Sequence, residues 1–75
     1  GDGKVRAALN GRVVAVLVQP GDAVKAGQPV VTLEAMKMEH VHSAPVSGII
    51  TEIGVAEGEQ VTTGHIVAVI ELEAG

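Results

Sequence analysis

The feature that most constrains this chain is an internal repeat. Residues 11–34 align without gaps on residues 48–71, an offset of 37, and seven of the 24 positions are identical: Gly11/Gly48, Val18/Val55, Gly21/Gly58, Val24/Val61, Gly27/Gly64, Val30/Val67 and Glu34/Glu71. Five more are close in kind: Val13/Ile50, Val16/Ile53, Asp22/Glu59, Val31/Ala68 and Leu33/Ile70. A chain of 75 residues buries only about 60% of its extended surface. Neither copy can cover an apolar face alone, so the two must cover each other.

Each copy reads as strand, turn, short extended piece, turn, strand. Residues 13–18 and 49–55 are the long apolar runs, broken by Pro20-Gly21-Asp22 and Glu57-Gly58-Glu59. Glycine there supplies the positive φ of a tight turn. Val24 and Val61 sit in brief segments ended by Gly27 and Gly64, and residues 30–33 and 66–70 are the closing strands. Fourteen Val, five Ile and four Thr favour strands over helices. The expected fold is all-β: two copies of a three- or four-strand unit packed face to face as a small pseudo-twofold sandwich. Its ordered core is expected over about residues 5–72, with residues 1–3 and 74–75 as frayed ends. The junction between copies, residues 35–47, is related by that symmetry to the place where the chain ends approach. Junction and ends should therefore lie at opposite poles.

Several function classes are excluded. With no cysteine there is no thiol catalysis, thiolate metal site or disulfide. A formal charge of −4 and the lack of any aromatic residue leave neither a phosphate-binding surface nor a base-stacking platform, so nucleic acid is not an expected partner. No apolar run reaches membrane-spanning length, and no membrane partner is expected. His40 and His42 fall on one face of an extended strand, but a metal site needs more ligands, and His65 has no evident partner. Ser43 and Ser47 lack a His/Asp constellation, and the glycines lack phosphate-loop spacing. No catalytic residue and no metal ligand is assigned.

The junction reads Glu34-Ala35-Met36-Lys37-Met38-Glu39-His40. Its local propensity is helical, yet only a chain reversal here lets the second copy return onto the first. Gly, Pro, Asn and Asp are all absent from the tip. Local and global signals conflict, and such conflicts concentrate at functional sites. Lys37 stands between two methionines at that reversal.

The tetrapeptide Ala35-Met36-Lys37-Met38, at the midpoint of a duplicated β unit, resembles the attachment motif of the biotinyl (biotin carboxyl carrier) domains of biotin-dependent carboxylases. With Glu34 before it and Glu39 and His40 after, it is most similar to acyl-CoA carboxylase α-chains of the methylcrotonyl-CoA type. Ala44-Pro45-Val46-Ser47-Gly48 and the Gly21-Asp22…Gly27 element also match, and the resemblance covers residues 5–72. The chain departs from the family at Ala8, where a proline is common, and at His42-Ser43, which replace a hydrophobic-then-basic pair. Val18-Gln19-Pro20-Gly21-Asp22 leaves no room for the thumb that some bacterial carriers insert.

The resemblance implies a flattened barrel-sandwich of two four-stranded antiparallel sheets, without a thumb. It implies a single carrier domain spanning residues 1–75, the C-terminal fragment of a larger carboxylase chain. It implies covalent biotin on Lys37, attached by a biotin protein ligase, with Glu34, Ala35, Met36, Met38 and Glu39 as the recognition motif. Attachment removes one positive charge, and an exposed lysine amine is held as ammonium at neutral pH, so activation falls to the ligase. The carrier would then serve a biotin carboxylase and a carboxyltransferase, itself non-catalytic within an ATP-dependent carboxylase. The isolated domain is expected to be a monomer, and a cytoplasmic or mitochondrial-matrix setting fits. A lipoyl carrier shares the fold and the hairpin lysine, but its motif has Asp before and Ala after the lysine. An unmodified scaffold module is the remaining alternative.

Overall fold

In the computed structural model, which describes residues 3–72, the β-branched runs form eight strands. They are β1 (Lys4–Arg6), β2 (Gly11–Val16), β3 (Ala23–Val24), β4 (Pro29–Ala35), β5 (Met38–Ser43), β6 (Gly48–Ile53), β7 (Gln60–Val61) and β8 (Ile66–Leu72). One antiparallel sheet has the order β1-β8-β6-β3 and the other β5-β4-β2-β7. A shift of 37 residues carries each strand of the first sheet onto a strand of the second, so the pseudo-twofold expected from the repeat is present. No helix occurs among the described residues, and none is long and apolar enough to cross a membrane.

Face-to-face packing of the two copies needs a correction. Each sheet holds two strands from each copy: β1 and β3 of the first pair with β8 and β6 of the second. The copies interlock rather than stack. The reason is that β1 and β3 are too short to complete a sheet locally, and antiparallel partners from the other copy satisfy their backbone groups.

Irregularities repeat with the same offset. Bulges place Val14 as an extra residue on β2 against β4, and Thr51 as the extra residue on β6 against β8. The turns after β2 and β6 also cross to the other sheet in matched fashion. Gly21 N–H donates to the Ile50 carbonyl and Gly58 N–H to the Val13 carbonyl, both at 2.7 Å. The turn replacing any thumb is tight: Gln19 N–H donates to Asp22 Oδ2 at 2.9 Å and Asp22 N–H to the Gln19 carbonyl at 3.0 Å.

The core between the sheets is aliphatic, with Leu33, Ile50, Val13, Val30, Val31 and Val67 its largest fully buried side chains. Gly48 starts β6 where it passes so close to Glu71 that an added Cβ would overlap the Glu71 carbonyl oxygen. Gly11 does the same beside the Glu34 carbonyl, where a Cβ would sit at 2.7 Å. This explains why that glycine pair is identical in the repeat although neither residue needs a positive φ.

The molecule is elongated, 40 × 19 × 17 Å. Strand β2 starts beside the end of β4, with Arg12 opposite Glu34, and by Gly21 the chain has reached Ile50 near the Gly48–Leu72 pairing. The 35–38 reversal and Leu72 therefore lie at opposite ends, as the symmetry requires. Gly3 is not frayed: its carbonyl accepts Ile70 N–H at 2.6 Å. The expected fraying of residues 1–2 and 74–75 lies outside the described residues.

Candidate functional site

Strands β4 and β5 form a hairpin in which Ala35 pairs with Met38, leaving Met36 and Lys37 as a two-residue loop. Both have positive φ, 52° and 66°. They are the only non-glycine residues with positive φ among those described. Two consecutive left-handed residues make a type I′ turn, whose twist matches the flanking strands but which ordinarily selects Asn-Gly. The conflict seen in the sequence is thus resolved by strained backbone at Met36-Lys37.

That conformation lifts the loop off the sheet. Met36 is 93% exposed, and Lys37 and Met38 are exposed as well. No hydrogen bond or ion pair engages the Lys37 ammonium among the described residues. An amine that is unencumbered, projecting and reachable from both faces suits attachment of an acyl group through an amide.

The hairpin has two different sides. On its inner side, Ala35, Met36, Met38 and His40 line an open cleft of about 510 Å³ together with Leu9 and Asn10. The methionines therefore border a cleft and do not fill the core. On the outer side, Glu34 stands directly opposite Glu39. Arg12 pairs with Glu34 at 3.5 Å, both groups half-exposed.

His40 and His42 do share one face of β5, turned inward, and no metal-ligating cluster forms among the described residues. His42 is instead a structural pin. Its Nε2 accepts Ala8 N–H at 2.9 Å, and its Nδ1 lies 3.1 Å from the His40 carbonyl. The acceptor role at Nε2 sets the neutral Nδ1–H tautomer. The two departures noted in the sequence, Ala8 and His42, are thus joined: one supplies a free N–H and the other its acceptor. His65 lies away from the hairpin, its Nε2 3.2 Å from the Gly54 carbonyl. Ser47 Oγ accepts Ala26 N–H at 3.0 Å, a turn-holding role that Asn10 repeats 37 residues away by accepting Thr63 N–H at 2.8 Å. Leu9 and Asn10, beside the hairpin, carried no chemical signature in the sequence; only their adjacency to Gly11, which packs on Glu34, marked their place.

The description "Biotin-requiring enzyme" belongs to the family model that matches residues 3–70. The α subunit of mitochondrial methylcrotonoyl-CoA carboxylase from Glycine max is 50% identical over 64 residues, which cover 85% of this chain and 9% of that protein. The biotin carboxyl carrier protein of acetyl-CoA carboxylase from Solanum lycopersicum is 47% identical over 62 residues, covering 83% of this chain and 89% of the relative. Among solved structures, a single-chain, multi-domain long-chain acyl-CoA carboxylase superposes with a TM-score of 0.87 at 38% identity, covering 93% of this chain and 7% of that one. The urea carboxylase of Kluyveromyces lactis gives 0.85 at 37% identity, covering 91% and 6%. The chain thus spans 6–9% of the long carboxylases just named and 89% of the carrier protein from Solanum lycopersicum. A duplicated, interlocked β fold and a family match along almost its whole length together place the chain in the biotin-requiring enzyme family, as a biotin carboxyl carrier domain of the biotin-dependent carboxylases.

Proposed function

We propose that Lys37 is the residue that carries biotin, and that the domain moves carboxyl groups between a biotin carboxylase and a carboxyltransferase. The observation that carries this reading is the free Lys37 amine on a strained I′ turn, at the pole farthest from Leu72. A biotin protein ligase forms the amide between Lys37 Nζ and the biotin carboxyl group. The acyl–phosphate bond of biotinyl-AMP breaks, AMP departs and the amine loses its proton. When bound, biotin supplies a ureido nitrogen that accepts and releases a carboxyl group. The chain's own contribution is presentation: a rigid sandwich holds the tip away from solvent-side obstruction, and a tether makes each encounter with an enzyme site intramolecular. Glu34, Ala35, Met36, Met38 and Glu39 form the surface that partners read around the lysine. The chain acts as the single carrier segment of a longer carboxylase polypeptide, monomeric by itself. Relatives of the mitochondrial methylcrotonoyl-CoA type from Glycine max and Arabidopsis thaliana stand beside a bacterial pyruvate carboxylase from Staphylococcus aureus, and both a mitochondrial-matrix and a cytoplasmic setting fit.

Incubation with biotin, ATP and a biotin protein ligase should add about 226 Da, one biotinyl amide, and make the chain bind avidin. Lys37→Arg should gain nothing. A folded wild-type chain that gains no mass, or a Lys37→Arg chain that still does, overturns the assignment.

A further inference from the structure

The pseudo-twofold supplies an internal comparison, because every outward position on one sheet has a counterpart on the other. On the sheet β1-β8-β6-β3, Lys4, Val69 and Glu52 lie side by side across the strands, next to the bulged Thr51. The same row on the sheet β5-β4-β2-β7 is Val41, Thr32 and Ala15, next to the bulged Val14. One step along, the counterpart of Gly54 is Leu17. A charged, polar edge on one face is thus replaced by valines and a leucine on the other. Val41 is 58% exposed and Leu17 53%. Thr32 faces outward, between the buried Val31 and Leu33, yet keeps only 7% of its exposure between these neighbours. Val69 and Ile49 run the other way on the opposite sheet, but Val69 lies between Lys4 and Glu52, and Ile49 sits at the pole far from Lys37.

Apolar side chains placed contiguously on a solvent-facing sheet mark an interaction surface. This one lies one charged row away from the Lys37 hairpin. Val41 lies three residues from Met38, about 10 Å along an extended strand. Between them stands the outward row Arg12, Glu34 and Glu39. Like charges directly opposite on neighbouring strands are unfavourable. Arg12 compensates Glu34 alone, and Glu39 has no ion-pair partner among the described residues. The face therefore presents an apolar centre and, on the side nearest Lys37, a carboxylate that a cationic partner would relieve.

We propose that the outer face of the sheet β5-β4-β2-β7, with Val14, Leu17 and Val41 as its apolar contacts and Glu39 as its charged rim, is the docking surface for the ligase that acylates Lys37. The partner is a separate protein presenting an apolar strip bordered by Lys or Arg. This rests on the reading of Lys37 as the biotin acceptor. An enzyme domain on the carrier's own polypeptide meets it at high effective concentration and needs little docking area. A ligase arriving as a separate chain has no such help and must gain affinity from the folded surface.

The test is the initial rate of biotinylation, followed by intact mass with a biotin protein ligase, ATP and biotin, at varied concentrations of the 75-residue chain. The double variant Val14→Thr/Val41→Lys installs the opposite sheet's own residues. Its KM should rise about five- to tenfold, the loss of one or two interface anchors, with kcat unchanged. Thr51→Val/Glu52→Ala, which makes the opposite sheet resemble this one, should leave KM unaltered. Circular dichroism checks that each variant is folded, and Leu17→Lys serves as an independent probe should the double variant not fold. KM values within twofold of wild type for both probes overturn the docking surface while leaving Lys37 as acceptor. A wild-type chain that is not loaded at all overturns both readings.

Discussion

Met36 and Lys37 hold a backbone conformation that suits neither side chain. A non-glycine residue in the left-handed region costs on the order of 1 kcal/mol, and here two follow one another with φ of 52° and 66°. Nothing in their packing relieves this, since both are exposed. Asn adopts this region more readily than Met. Met36→Asn should therefore stabilise the fold by about 1 kcal/mol, raising the unfolding midpoint by about 4–8 °C; a thermal melt followed by circular dichroism reads this. A midpoint that stays or falls would mean that the turn carries no strain at that position. At this scale the sequence showed where the reversal must come and that its residues were wrong for it. That the reversal takes the I′ form was not legible, because the hairpin register, set by Ala35 opposite Met38, imposes it from outside the loop.

Strand β5 connects two functions through its alternation. Its outward residues Glu39 and Val41 belong to the open face, and its inward residues His40 and His42 to the hairpin base. His42 ties the segment carrying Leu9 and Asn10 to the sheet through Ala8 N–H. The other copy solves the same problem differently: Pro45, which has no N–H, occupies the position of Ala8, and Val5 that of His42. His42→Val should cost about 1–2 kcal/mol by leaving the Ala8 donor without its acceptor. Adding Ala8→Pro should recover about 1 kcal/mol of this, a coupling that a double-mutant cycle in urea measures. Additive losses would show that the imidazole acts by packing alone. The strand positions on this level were legible from the repeat, for glycine turns and apolar alternation are local signals. The Ala8–His42 bond spans 34 residues of sequence, and neither residue announces the other.

Over the whole molecule, the interlock is the dominant fact. Strands β1, β3, β5 and β7 pair only with strands of the other copy, so among the described residues the sheet pairing within each copy is a two-stranded one, β2 with β4 or β6 with β8. Isolated two-stranded ribbons are marginal in water. Separate peptides of residues 1–36 and 37–75 should give coil-like circular dichroism, and equimolar mixing should restore the strand signal and a cooperative melt. A half that folds cooperatively alone would show that the copies are independent units.

What the residues alone determine follows from local chemistry. The glycine pairs, the β-branched runs and the 37-residue offset specify strands, turns and a pseudo-twofold, and symmetry then puts Lys37 and Leu72 at opposite poles. The motif around Lys37 is equally a property of the sequence. The exchange of strands between sheets, the left-handed turn beneath the lysine and the union of Val14, Leu17 and Val41 on one face were decided only in three dimensions. Backbone hydrogen bonds are the same for every residue type, so a strand does not encode its partner. Pairing is selected by which arrangement buries both copies' apolar faces at once and gives the short strands backbone partners.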